Sequence, residues 1–403
     1  MNAQAIESQE IRFSTRAAHW SAVFSLFVGV TGLIAAEFIP VSLLTPIAQD
    51  MGISEGMAGQ SVTAVGIFAV ITSILLAPLT RKIDRRHVLL FFSVLMVASN
   101  VIVALAPTYP IMLIGRGMLG ICVGGFWSMA SAVTLQLVPT KDVPRALSIV
   151  YAGVSVATII SLPLASYLGH LVGWRNIFFM GAGIGLVALV WQFLTLPSMP
   201  ARDGNNFRNM FGLLKRGWVL AGIGATIFSY GGYHVFFTYL RPFLQLDLQL
   251  APGALSAVLL AFGVANCAGT FIAGAILGKH FRATLLGIHL ALSALAVLLF
   301  ATNGEVGVNT GLAIAWGFIF GFIPVAWSTW ITRTLADKAE IAGGVSVAAI
   351  QFSIGLAAGI GGITFDSMGI GGIFVAAAVI QVLAAVLIKA SFMAFARENG
   401  RPA

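Results

Sequence analysis

The sequence predicts an all-α membrane protein, with twelve transmembrane helices in two pseudo-symmetric six-helix bundles. Three observations predict it. Hydrophobic residues make up 59% of the 403 residues and charged residues 9%, against about 25% charged in a soluble domain. Twelve mainly apolar segments can be marked off, each holding the roughly 20 residues that cross a bilayer core. The basic residues gather in alternate connections between those segments.

The spans fall at 19–47, 57–79, 87–106, 110–136, 146–168, 175–196, 218–240, 252–277, 283–302, 308–332, 342–365 and 369–392. With a cytoplasmic N-terminus, the inner connections and tails hold 19 of the 22 Lys and Arg residues. Among these are the cluster Arg81, Lys82, Arg85 and Arg86, and the pairs Lys279/Arg282 and Arg333/Lys338. Arg175 and Arg241 fall near outer ends and Arg116 lies inside the fourth span. The positive-inside rule then places both termini in the cytoplasm. The first 18 residues are polar, with no cleavable signal pattern, so the first span is expected to stay as an anchor.

The expected organisation is a tail (1–18), a six-helix bundle (19–196), a cytoplasmic linker (197–217), a second bundle (218–392) and a C-terminal tail (393–403). The linker opens on Pro, Gly and Asn, and its second part, FRNMFGLLKR, suits a short basic amphipathic helix on the membrane surface. The halves resemble each other. An offset of 200 aligns Trp127-Ser128 with Trp327-Ser328 and Gly117 with Gly317, and an offset of 196 aligns Gly173 and Ile177-Phe178 with Gly369 and Ile373-Phe374.

The net charge of +8 lies in loops at one membrane face, which speaks for a lipid bilayer and against nucleic acid. Both cysteines, Cys122 and Cys267, fall within spans, so no disulfide framework is indicated. No phosphate-binding loop, metal-ligand spacing or nucleophile–base constellation is present, so neither an enzyme nor a cofactor is expected.

Glu37 is the carboxylate that falls well inside an apolar run, in GLIAAEFIPVSLL, and an ionisable group at that depth marks a functional site. Arg116 is the second costly residue. At about 1.5 Å per residue it lies about 10 Å below the outer surface and Glu37 roughly 12–18 Å. The two are therefore within reach if the first and fourth helices are neighbours. A carboxylate that alternates between a cation and an apolar environment can load and release a proton; the competing reading is a static pair joining two helices.

Stripes at helical spacing supply candidates for substrate binding. The fourth span offers Trp127 in line with Arg116, the seventh Tyr230, His234 and Phe237, and the tenth Trp316, Phe320 and Trp327, with Pro324 as a kink. Trp127 and Trp327 also suit an interfacial aromatic belt. His234 suits a proton relay or a substrate hydrogen bond, and equally a satisfied structural histidine. Asn266 and Gln351 are mid-span amides that could read a polar ring or bond a neighbouring helix.

These residues carry a family resemblance across essentially the whole chain. Leu113…Arg116 followed by Gly120 resembles the fourth-helix motif of drug:H⁺ antiporters of the major facilitator superfamily, and SLPLASYLGHLVGWRNIF (161–178) is similar to their proline-containing fifth-helix motif. Leu162, Ser166 and Tyr167 stand in place of that motif's usual glycines. The loop APLTRKIDRRHVLL departs from the superfamily signature, with Arg81 where an acid is expected and Asp84 where a glycine is. EFIPVSLLTPIAQDMGISEGMAGQSVT, GWRNIF and PVAWSTWITRTLADKAE resemble the purine ribonucleoside exporters within that superfamily. The resemblance implies the major facilitator fold, with its midplane site between halves. It further implies a monomer in the bacterial inner membrane that exchanges a purine nucleoside for a proton. The alternative is a proton-coupled exporter of sugars or of multiple drugs.

Overall fold

A computed structural model describes residues 18–139, 142–200, 214–302, 304–335 and 339–398. The amphipathic helix expected in the linker falls largely outside the described residues. Among those described, the chain is helical throughout, and nine helices are long and apolar enough to cross a membrane. The main helices in chain order are α1 (Trp20–Met51), α2 (Glu55–Leu79), α3 (Arg85–Leu105), α4 (Tyr109–Leu137), α5 (Val143–Val172), α6 (Trp174–Thr195), α7 (Gly217–Thr238), α8 (Pro252–Ala301), α9 (Val306–Phe320), α10 (Phe322–Thr334) and α11 (Ala339–Glu398); the nine comprise α1–α6, α8, α11 and one span that takes in α9 and most of α10. A helical turn, Leu240–Pro242, and a π-helical turn, Phe243–Asp247, continue α7.

Local chemistry sets the boundaries. Ser54 caps α2 by accepting from the Met57 amide at 3.0 Å, and Asp84 caps α3 by accepting from Arg86 at 2.8 Å, each satisfying a donor the first helical turn leaves free. Prolines enter the first turn of α4, α5 and α8, where no backbone N–H is missed. The expected breaks at 277–283 and 365–369 shrink to single residues. His280 (φ −128°, ψ 47°) interrupts α8 and Gly369 (φ 66°, ψ −162°) interrupts α11, the latter in a region open to glycine alone. Conversely, the expected continuous span 308–332 divides at Gly321 into α9 and α10, three residues before Pro324.

Packing separates the chain into cores. Two hydrophobic clusters draw only on residues up to Met199, and a third is built of residues from Trp218 onward, joined by Val41, Val62 and Leu162. Among the described residues, the main helix pairings that cross that divide are α11 on α2, α8 on α5, α11 on α4, and the Leu240–Pro242 turn on α1.

One of these pairings needs bare backbone. A Cβ on Gly66 would lie 2.6 Å from the Gly355 Cα and 2.9 Å from the Gln351 carbonyl, so α2 and α11 touch where neither has a side chain. From there the pairing runs toward one end of the molecule. Gln60 Nε2 donates to the Gly359 carbonyl (3.2 Å), and the Asp366 carboxylate accepts from the Ser54 hydroxyl (2.6 Å) and the Gly56 amide (3.0 Å). At the same end Tyr239 donates to Ala358 O (2.9 Å), and Arg241, buried, donates to the Ser42 carbonyl and to Ser166 Oγ (2.9 Å). The Asp50–Arg175 ion pair also sits there, with Trp174 Nε1 donating to Asp50 (3.2 Å) and Arg175 to Ala106 O (3.1 Å). The GWR segment thus clasps the ends of α1, α3 and α6.

The opposite, basic end is held differently. Asp84 accepts from the Ser198 hydroxyl and the Met199 amide, Arg85 N donates to Met199 O (2.9 Å), and Arg86 reaches the Phe193 carbonyl (2.9 Å). These join α3 to the last turn of α6 and to the segment after it. Burial works to raise the Asp84 carboxyl, yet its bonds from Ser198, Met199 and Arg86 prevail and hold it below the ordinary aspartate value.

Candidate functional site

Glu37 and Arg116 are both buried, 5% and 1% exposed, on α1 and α4. Arg116 is fixed through main-chain carbonyls, donating to Ala36 O (2.7 Å), Glu37 O (3.2 Å) and, on α2, Ser61 O (3.3 Å). The first and fourth helices are therefore neighbours at this depth. Arg116 engages the backbone of Glu37, and the Asp50–Arg175 pair is the one carboxylate–cation contact within 4.0 Å among the described residues. Arg116 acts on the Glu37 carboxyl as a nearby charge, and the side chain of Gln351, buried on α11, approaches the same carboxyl.

An aromatic cluster lies beside this acid. Phe38, next in sequence to Glu37, meets Phe237 of α7 edge-on (5.4 Å between centroids). Tyr233 stacks between Phe237 and Phe320 of α9, and Tyr230 and His234 each meet Phe320 edge-on at 6.0 Å. Stacked and edge-on pairs of this kind are the preferred aromatic geometries. Tyr230, Tyr233, His234, Phe237 and Phe320 thus come together from α7 and α9, and Phe38 joins them to α1 one residue from Glu37.

The remaining candidates stand elsewhere. Trp316 is fully buried against Phe236 (5.1 Å), which also packs on Phe243 and Phe374, on another side of α7 from Phe237. Trp127 pairs with Phe126 and Tyr151 on α4 and α5. Asn266 donates to the Gly317 carbonyl (3.3 Å), and Thr270 bonds Gly321 O (3.1 Å), so this stretch of α8 supports the division between α9 and α10. Trp327 donates to Ser229 Oγ at 3.0 Å, and His289 Nε2 lies 2.6 Å from that same oxygen. His289 Nδ1 is 2.7 Å from the Leu285 carbonyl, which can only accept. With the ring neutral, Nδ1 therefore holds the proton and Nε2 receives the Ser229 hydroxyl.

Sequence reasoning missed Tyr233 and Phe38 as cluster members and His289 as the partner of Ser229. Tyr233 stands four residues from Phe237 in FSYGGYHVFF, so a second stripe at helical spacing could have revealed it. His289 carries no such signal.

Comparison with known proteins places these features in a family context. The model described as Major Facilitator Superfamily matches residues 20–346. Two relatives, both called Purine ribonucleoside efflux pump NepI, are 42% identical over 372 residues, covering 92% of this chain and 94% of theirs. One is from Escherichia coli (strain K12), the other from Shigella flexneri. Among solved structures, a mutant of the nucleoside transporter NupG superposes with TM-score 0.74 at 14% identity, over 93% of this chain and 99% of that one. A D-xylose-proton symporter does so with TM-score 0.71 at 18% identity, over 91% and 95%.

Proposed function

The chain belongs to the major facilitator superfamily, and from that premise we propose that it exports purine ribonucleosides in exchange for protons by alternating access. The observation that carries the substrate class is the 42% identity, over nearly the full length of both chains, to pumps named for purine ribonucleosides. The site's chemistry supports it. A purine offers a flat face, which suits the Phe320–Tyr233–Phe237 stack, and a polar edge, which suits the Gln351 amide.

In this reading α8 and α11 each cross twice, with turns at His280 and Gly369, α9 and α10 form one broken span, and α7 crosses despite its Tyr, Gly and His content. That gives twelve spans in two bundles, with the basic end cytoplasmic and the Asp366 end outside, in the bacterial inner membrane and working as a monomer. The outer end is closed by α2 on α11 and by Arg241 on α1 and α5. Opening it while closing the basic end is the rocking of one bundle on the other that this architecture permits.

Glu37 is the proton site. Arg116, tied to three backbone carbonyls, contributes a charge that need not move. Counterflow in proteoliposomes with inosine, arabinose and a cationic dye at two pH values tests substrate and coupling together; the expected result is exchange of inosine alone. Glu37→Gln is expected to abolish uphill, pH-driven export while inosine counterflow persists. Uphill export at the native rate in that variant would remove Glu37 from the role.

A further inference from the structure

Helix α1 carries two prolines within its length, Pro40 and Pro46. A proline has no N–H, so each leaves the carbonyl four residues earlier without its helical donor. Those carbonyls belong to Ala36 and Ser42, and an arginine from another helix takes each of them. Arg116 of α4 donates through Nη1 to Ala36 O (2.7 Å), and Arg241, in the turn that continues α7, donates through Nη1 to Ser42 O. The two arginines differ in origin. Arg116 comes from the same half of the chain as α1, whereas Arg241 comes from the other half and crosses the divide between the cores.

We propose that Pro46 and Arg241 form a latch that sets how readily the outer end opens: the proline bares the Ser42 carbonyl, and the guanidinium from the second bundle occupies it only while that end is closed. This rests on the alternating access proposed above. Arg241 is 6% exposed and has no carboxylate within 4.0 Å among the described residues, so neutral oxygens are what hold its charge. The Ser42 carbonyl suits this because Pro46 leaves it free of a competing N–H. Ser166 Oγ on α5 accepts from the same nitrogen (2.9 Å), so one atom ties two helices of the first half to the second.

The latch is built to be reversible. Among the described residues, Arg241 Nε, Ser42 Oγ, Thr45 Oγ1 one turn along α1, and Thr238 Oγ1 one turn before Arg241 are buried without a hydrogen-bond partner. A buried polar group left unpaired favours any arrangement that returns it to water. The bonds that close the end are therefore opposed by groups that opening relieves. Arg116 has no such alternative, because two of the three carbonyls that hold it, those of Ala36 and Glu37, lie on α1 and the third, that of Ser61, on α2, all in its own half of the chain. Pro40 thus builds a permanent joint within one bundle, and Pro46 a joint that parts.

Cysteine accessibility on intact cells carrying the full-length chain tests the latch. Val62→Cys is the reporter, since Val62 is buried on the Ser54 side of the Gly66–Gly355 crossing and packs into the core of the other half. A membrane-impermeant maleimide added outside reaches it only when the outer end opens, and mass analysis separates its label from any on Cys122 or Cys267. With no substrate added, Arg241→Gln is expected to label the reporter about 10-fold faster or more, as the loss of a hydrogen bond from a charged group implies. Pro46→Ala is expected to speed labelling by a smaller factor, since a carbonyl given back its helical N–H keeps a second lone pair. In the Arg241→Gln background Pro46→Ala should then add nothing, because both act through one bond. Pro40→Ala, which concerns a carbonyl bonded within one bundle, should label at the native rate. A general loosening of the fold would also expose Cys122, buried in the core of the first half, and Cys122 labelled in step with the reporter would overturn the latch. So would native-rate labelling in Arg241→Gln, an added effect of Pro46→Ala in that background, or equal acceleration by Pro40→Ala. Each of these leaves the purine reading standing, and inosine counterflow of the intact chain decides that reading on its own.

Discussion

Polar side chains buried in this protein divide into those whose meaning was written locally and those whose meaning depends on a distant partner. Glu37 and Arg116 were legible because a charge in an apolar run is costly wherever its helix ends up. Ser229 and His289 were not, since their bond joins positions 60 residues apart, and a serine or histidine alone in an apolar stretch predicts nothing of its partner. Nor was it legible that Trp316 lies fully buried against Phe236, or that Asn266 bonds a neighbouring helix, because a helical stripe does not say which face meets which neighbour. Ser229 now carries a prediction. Its hydroxyl takes the Trp327 indole proton and satisfies His289, so Ser229→Ala leaves two buried polar groups unmatched. An unsatisfied buried group costs about 1–3 kcal/mol, and thermal unfolding in detergent is expected to show a clearly lowered midpoint. An unchanged midpoint would mean that the Trp327–Ser229–His289 chain contributes nothing to stability.

Among elements, hydropathy located the apolar segments, but their ends were set by features that hydropathy does not weigh. Single non-helical residues at His280 and Gly369 replace the expected loops, and α9 parts from α10 at Gly321, where Asn266 and Thr270 take main-chain carbonyls of the broken turn. The loop between α2 and α3 is a further case. Its departure from the superfamily signature puts Asp84 where a glycine is expected, and the structure uses that carboxylate twice, to cap α3 and to bind Ser198 and Met199. Because its folded value is depressed, Asp84 contributes stability above the ordinary aspartate range, about pH 3.9, and that contribution is lost as pH falls through the folded value. Asp84→Ala is therefore expected to lower the unfolding midpoint at neutral pH, by an amount matching the roughly 0.5–2 kcal/mol of a lost helix cap. The gap to the native protein should close as pH is brought below about 3.9. A gap that stays constant across that range would show that the Asp84 charge is not what holds α3 to the segment after α6.

At the scale of the whole molecule, the hydrogen bonds that cross the divide between the cores cluster toward one end, and this asymmetry carries the mechanical prediction. Gly66 and Gly355 mark the crossing of α2 and α11, and beyond it lie the bonds of Gln60 to Gly359 and of Ser54 and Gly56 to Asp366. Asp366 sits on the N-terminus of α2, where the free amides and the helix dipole favour an anion, so the closed end is held by a contact that separation would expose to water. Export by alternating access requires that contact to break in every cycle. Ser54 and Asp366 side chains are 2.6 Å apart, close enough for paired cysteines to be brought to bonding distance. The double variant Ser54→Cys/Asp366→Cys is expected to lose inosine export under oxidising conditions and regain it on addition of a reductant, while inosine still binds the oxidised protein from the basic side. The single variants are expected to transport under both conditions. Full export by the oxidised double variant, with the disulfide verified by mass, would show that this end does not open during transport and would refute the rocking motion about Gly66 and Gly355.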